Sequence, residues 1–205
     1  MKYLIAIPCM DAVQTIFMSS LLNMRKPNDG CFVTCRSSLV YDSRNILAAT
    51  AIDGGYDRVL WLDSDMSFEP DLMERLIADM DTGLEFVSGL YITRKEPIKP
   101  CVYSELRMRY DGQTEIVYCE PWPENSVFEI AGCGFGCVMT DVALLNRVFE
   151  KYKHVFTPIP GWGEDISFCI RARECGAKLW CDSRIQLGHI GQAIFNTDTY
   201  KLINQ

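Results

Sequence analysis

Val59-Leu60-Trp61-Leu62-Asp63-Ser64-Asp65-Met66 carries a hydrophobic run straight into two carboxylates one residue apart. With Asp57 and Arg58 in front of it, the run reads as a strong buried strand over 57–62. In open α/β sheets, ligands gather beyond the carboxyl ends of strands. Carboxylates at that place are oxygen ligands for a hard divalent ion, which can bridge a diphosphate and neutralise its charge. The same two acids could equally cap the next helix. That helix opens at Glu69-Pro70-Asp71 and runs to about Met80, with Pro at a first-turn position where its missing N–H is not needed.

Upstream, residues 2–8 (KYLIAIP) form a first strand closed by Pro8. Asp11 is placed to cap a helix over 12–25, PNDG makes a turn, and CFVTC makes a second strand. Asp42 or Ser43 is placed to cap a helix over about 44–53, ended by Gly54-Gly55. Downstream, 84–89 is a fourth strand. Strand–helix alternation over the first 90 residues predicts right-handed βαβ units and a mostly parallel sheet, with helices on both faces. Short β pieces then fill 98–131, predicting a small antiparallel insertion. Helices return at about 141–152 and 164–175, and 177–181 and 184–189 are closing strands. The chain reads as one α/β domain: a nucleotide-binding half over 1–95, a sugar- and acceptor-binding half over 96–191, and a tail over 192–205 that folds over the site or frays.

The 205 residues are 48% hydrophobic and 23% charged, which excludes a disordered, collagen-like or coiled-coil chain. A net charge of −7 argues against nucleic acid as the main partner, since duplex affinity rests on Lys and Arg meeting phosphates. No run of 18 apolar residues predicts a membrane span, and the start lacks the features of an export signal. The ten cysteines show no C-x-x-C and none of the spacing of a zinc module. They are read as reduced thiols packed as small hydrophobes in a cytoplasmic protein.

Two further stretches carry chemistry. Gly161-Trp162-Gly163-Glu164-Asp165 heads the helix ISFCIRARECG. Acids in a first turn suit the helix dipole, and one of them facing the cleft could act as a general base. Trp162 is then a stacking wall for an acceptor. Leu187-Gly188-His189-Ile190-Gly191 follows the closing strand, and His189 is one of only two histidines. Imidazole can complete a carboxylate metal site, although a lone His is more often structural.

Taken in order, VLWLDSDM, GFGCVMT, GWGEDISF and LGHIG resemble the GT-A fold glycosyltransferases, which use nucleotide-diphosphate sugars. The resemblance spans roughly residues 2–191, with about 100 residues between D-x-D and E-D. It implies a single GT-A-like, Rossmann-related domain and a metal-dependent transfer of sugar from a nucleoside-diphosphate donor, read here as a UDP-sugar, to an acceptor hydroxyl with inversion. By it, Asp65 is the principal metal ligand, Asp63 a ribose or metal contact, and His189 a second metal ligand. Ser64 lies between the two acids at the donor. Asp165 is the base, and Glu164 holds acceptor or sugar hydroxyls. Pro8 meets the nucleotide base, Arg44 faces the nucleotide or lies on a solvated helix face, and Gly134 in GCGFG lets backbone approach the donor sugar or simply makes a tight turn. The ion is Mn²⁺ or Mg²⁺, with mixed nitrogen and oxygen ligands favouring Mn²⁺. The acceptor is a glycan, protein or lipid. A nucleotidyltransferase and an inactive nucleotide-sugar-binding module are the competing readings. No acid follows strand one to grip uracil, which leaves the base of the donor open.

Overall fold

Alternating strands and helices wind the first ninety residues into a parallel sheet. The computed structural model describes residues 1–110, 112–191 and 194–203. In it β1 (Tyr3–Cys9) leads through α1 (Thr15–Asn23) to β2 (Gly30–Arg36), and β2 through α2 (Val40–Asp53) to β3 (Arg58–Leu62). After a short β4 (Met66–Ser67), α3 (Leu72–Met80) returns the chain to β5 (Phe86–Leu90). An excursion then lays down β6 (Val102–Met108), β7 (Thr114–Tyr118), β8 (Val127–Ile130) and β9 (Gly132–Cys133). β10 (Cys137–Asp141), α4 (Val142–Tyr152), α5 (Glu164–Glu174) and β11 (Leu179–Gln186) follow. The chain finishes with β12 (Gly188–Ile190), β13 (Ile194–Phe195) and α6 (Thr197–Ile203).

The central sheet has seven strands in the order β2-β1-β3-β10-β5-β11-β8. β1, β2, β3, β5 and β11 run the same way, whereas β10 and β8 run against them. Period-2 alternation sends each strand's side chains to two cores. Leu4, Ala6, Val59 and Trp61 meet α2, α4 and α5 on one face. Ile5, Ile7, Leu60 and Leu62 meet Phe17 of α1 and Leu72, Met73, Leu76 and Met80 of α3 on the other. The 72/73/76/80 spacing is the apolar stripe that docks α3 on the sheet. Two three-stranded sheets flank the central one, β7-β6-β9 and β13-β12-β4. The expected fold class therefore holds: a mostly parallel sheet, helices on both faces, and a small antiparallel insertion.

Element ends differ from the sequence reading for identifiable reasons. α2 starts at Val40, because the N–H groups of Asp42 and Ser43 already donate to the Leu39 carbonyl, at 3.1 and 3.3 Å. Asp11 pairs with Arg36 at 2.5 Å, and α1 begins at Thr15 after an N-cap Gln14 that makes no side-chain capping bond among the described residues. α3 begins at Leu72, so Pro70 precedes the helix. The two closing strands 177–181 and 184–189 are in fact one strand, β11, followed by β12. Asp182 and Ser183, between those two ranges, are both 1% exposed and partnered, Asp182 by Arg184 and Ser183 by Ser126, so the strand runs through them. β10 went unforeseen, because a strand beginning directly after GCGFG has no turn of its own to announce it. In the expected tail, residues 192, 193, 204 and 205 lie outside the described residues; 194–203 form β13 and α6. Among the described residues no helix is long and apolar enough to cross a membrane.

Candidate functional site

Beyond Leu62 the backbone leaves the sheet through a turn that sets both carboxylates at the strand end. The Asp63 N–H donates to the Gly136 carbonyl at 3.1 Å, and the Met66 N–H donates back to the Asp63 carbonyl at 3.3 Å. Met66 then enters β4, where it faces His189 of β12. The Ile190 N–H donates to the Asp65 carbonyl at 2.7 Å. Strand pairing thus brings residues 65 and 189 together across more than a hundred positions of sequence. His189 Nε2 stands 3.6 Å from Asp65 Oδ2, and its Nδ1 lies 2.9 Å from the Ile92 carbonyl. That carbonyl accepts only from a protonated Nδ1, so in the neutral ring the Nε2 lone pair faces Asp65.

This pair fits a small cation. Ligand bonds to such ions are about 2.0–2.2 Å, so two donors 3.6 Å apart can share one. Among the described residues no three His, Cys, Asp or Glu side chains form a cluster able to hold a metal. Asp65 and His189 would therefore supply two positions, leaving the others to substrate oxygens and water.

Asp63 belongs to a different constellation. Its Oδ1 accepts from Arg44 Nη2 at 2.7 Å, while Arg44 Nη1 donates to Glu164 Oε1 at 2.5 Å. Arg44 is 2% exposed, its Nε has no partner among the described residues, and its guanidinium lies 5.3 Å from the Phe135 ring centre. Neither a solvated helix face nor a free donor for a nucleotide, Arg44 is an internal clamp joining the D-x-D turn to the head of α5. Glu164 spends one oxygen on that clamp. Asp165, next in the first turn of α5, accepts the Ile166 N–H at 2.7 Å, its only hydrogen bond among the described residues. Burial pushes its carboxyl up to about 6, and the Glu164 charge adds to the rise. Burial also raises Asp63; Arg44 opposes this only in part, and Asp65 works with it. For Asp65, burial acts upward, but His189 in its protonated, donating form and then Arg94 outweigh it and hold the group below its ordinary range.

Pro8, Asp63, Ser64 and Asp65 line one cleft with Ser37 and Ser43, so the end of β1 and the D-x-D turn share a wall. Trp162 is elsewhere. It is 8% exposed, packed with Tyr103 and Ile166, and borders a separate groove with Leu106 and Met108. Gly134 answers to a neighbour within the protein: a Cβ there would collide with the Tyr91 hydroxyl. At Gly136 a Cβ would stand 2.8 Å from Tyr91 Cζ. Tyr91 itself accepts the Gly136 N–H at 3.0 Å and sets its ring edge-on to His189, centroids 5.5 Å apart.

Sequence reading missed two residues here, Tyr91 and Arg94. Arg94 Nη1 donates to Asp65 Oδ2 at 2.5 Å and to the Ile190 carbonyl at 2.9 Å. The one available signal was position, since both residues follow a strand at its ligand-facing end.

No family model matches the sequence, and no curated protein matches it. Solved structures do. The chain superposes on A197 from STIV with a TM-score of 0.69 and 22% identity, over 93% of this chain and 86% of that one. It also superposes on GalNAc-T7, solved with UDP, GalNAc and Mn²⁺, with a TM-score of 0.66 and 13% identity, over 93% of this chain and 43% of that one. At these identities the likeness is one of architecture, and that architecture is GT-A-like.

Proposed function

We propose that the chain is a metal-dependent glycosyltransferase that moves a sugar from a nucleoside-diphosphate donor, a UDP-sugar, to an acceptor hydroxyl with inversion. One observation carries the reading: Asp65 and His189 meet at the carboxyl end of a buried strand, beside a cleft that also holds Pro8, Asp63 and Ser64. The fold supports it, because a neighbour of the same architecture was solved with UDP and Mn²⁺.

Asp65 and His189 would hold Mn²⁺ or Mg²⁺, which supplies positive charge against the leaving diphosphate when bound. Pro8 and Ser64 offer surface to the nucleoside. Arg44 keeps the D-x-D turn and the head of α5 in fixed relation, so the donor wall and the base do not drift apart. Asp165 takes the proton from the acceptor hydroxyl as that oxygen attacks the anomeric carbon. A carboxylate raised to about 6 is a stronger base than an ordinary one and is still ionised at neutral pH. Glu164 orients acceptor or sugar hydroxyls with the oxygen that Arg44 leaves. The acceptor is a glycan, protein or lipid; the acidic surface disfavours nucleic acid.

Thermal unfolding with UDP, GDP, CDP and dTDP, each with and without Mn²⁺, tests the donor site. Saturation a hundredfold above Kd stabilises by about 2.7 kcal/mol. We expect UDP to raise Tm only with Mn²⁺, and Asp65→Ala to abolish the shift. A shift that survives in D65A, or the absence of any shift with all four diphosphates, overturns the reading.

A further inference from the structure

Arg94 sits where a metal-bound Asp65 could not tolerate it. Its Nη1 bonds Asp65 Oδ2, the same oxygen that faces His189 Nε2, and also reaches the carbonyl of Ile190. One guanidinium thus spans the D-x-D turn and β12, as a cation bridging the two would. Its side chain is nevertheless 40% exposed, so it has room to leave.

The segment that carries Arg94 has a firm base. Ile92 and Pro100 form a bridge, and the Thr93 N–H donates to the Lys99 carbonyl at 2.8 Å. The Lys99 N–H donates to Thr93 Oγ1 at 3.0 Å, and that hydroxyl reaches the carbonyls of Lys95 and Pro97. At the base, the Ile92 carbonyl fixes His189 Nδ1. Arg94 therefore springs from an anchored loop whose foot orients the imidazole, and only its long side chain needs to move.

We propose that Arg94 is an exchangeable counter-ion. It neutralises Asp65 in the free protein, gives up that oxygen when a divalent cation binds to Asp65 and His189, and then pairs with the anionic phosphate oxygens of the entering nucleotide. The proposal rests on the metal-dependent donor site argued above. Chemistry favours the exchange in this order. A monovalent guanidinium and a divalent ion repel each other at one carboxylate oxygen, so the two compete. Once displaced, the planar fork matches phosphate geometry better than any other side chain, and it lies a side chain's length from the site.

Two equilibria move in opposite directions if this is so. Mn²⁺ binding to the protein alone, read from the free-ion EPR signal, should tighten in Arg94→Met, because the competing cation is gone. UDP binding at saturating Mn²⁺, read by calorimetry, should weaken in the same variant. A hydrogen bond to a charged group is worth about 1.5–3 kcal/mol, so each change should be roughly 10–100-fold. Arg94→Lys, which keeps charge without the fork, should bind Mn²⁺ like the wild type and UDP with intermediate affinity. Equal or weaker Mn²⁺ binding in R94M overturns the exchange, as does unchanged UDP affinity. If wild type binds UDP without Mn²⁺ and R94M does not, Arg94 is a permanent replacement for the ion, and the exchange is wrong. Where Arg94→Met leaves both equilibria unchanged, metal-dependent UDP binding that D65A abolishes still keeps the donor reading standing, so the two failures are told apart. If no variant binds Mn²⁺, both fall.

Discussion

Asp165 and Glu164 stand side by side in one turn, yet their surroundings differ. Glu164 is bonded to a buried arginine, whereas Asp165 keeps one oxygen without a hydrogen bond among the described residues and is pushed up to about 6 by burial. Asp165→Asn should lower turnover about 10²–10⁴-fold, the range of a single positioned base, while leaving UDP–Mn²⁺ affinity within a few-fold of wild type. The wild-type kcat/KM should rise with pH through about 6 and then level, because the ionised form is the one that accepts the proton; that limb should vanish in the variant. Turnover near wild type in D165N would remove it from the mechanism. Legibility at this scale followed residue chemistry. Two acids after an apolar run, and a histidine after another, announce themselves. Arg44 did not reveal its part, since a helix of near-even polarity gives no hint that its one arginine will be enclosed by acids from residues 63 and 164. Arg94 was missed for a related reason: its partner Asp65 lies 29 positions away and is reached only through the loop that follows β5.

At the scale of elements, the site depends on close approach between the GCGFG stretch and β5's outgoing end. Tyr91 holds that seam: it accepts a backbone N–H from Gly136 and abuts His189. Gly136→Ala would force a Cβ to 2.8 Å from the Tyr91 ring carbon Cζ and 3.0 Å from Met66 Sδ, both buried. Overpacking of this kind costs about 1–3 kcal/mol, which for a chain of this size lowers Tm by roughly 3–10 °C. The displaced tyrosine should also disturb His189, so the Mn²⁺-dependent UDP shift should shrink. A G136A protein with unaltered Tm would show that the seam has slack. Strand and helix identity were readable where burial dictates the pattern, as in α3, α4 and β3. Short partners such as β4 and β12 were not, because two or three residues have no period to detect. They nevertheless hold the candidate ligands together.

Across the whole molecule, the back of the sheet stores a pair of buried acids. Asp79 of α3 and Asp182 of β11 share Arg184, which bonds both, and Asp79 Oδ2 has no hydrogen-bond partner among the described residues. Burial first, and the Asp182 charge second, push Asp79 from an ordinary 3.8 up to about 6. A carboxyl raised in the folded state favours folding while it keeps its proton, and that advantage is lost as pH climbs through about 6. Asp79→Asn keeps an acceptor for Arg184 and offers Asp182 a donor. It should exceed wild type in Tm at pH 8 by a few degrees, about 1–2 kcal/mol, with the gain fading towards pH 4. A difference that does not vary with pH would exclude a raised Asp79 as its cause. Alternation of strands and helices made the fold class legible over the first ninety residues, and the mostly parallel sheet follows it. Where that alternation stopped, so did the legible part of the sheet, and β10 lies beyond it.

β10 separates β3 from β5 in the sheet, pairing Cys137 with Leu62 on one side and Val138 with Ser88 on the other. The strand that carries the D-x-D turn and the strand that leads to Tyr91 and Arg94 therefore never touch. On the ribosome, both emerge well before the segment that must be slotted between them. Until it arrives, each presents an unzipped flank of backbone donors and acceptors, a state prone to mispairing and slow to resolve. Assembly of the cleft beside the D-x-D turn is thus a late event in the chain's birth, governed by a stretch that does not line it.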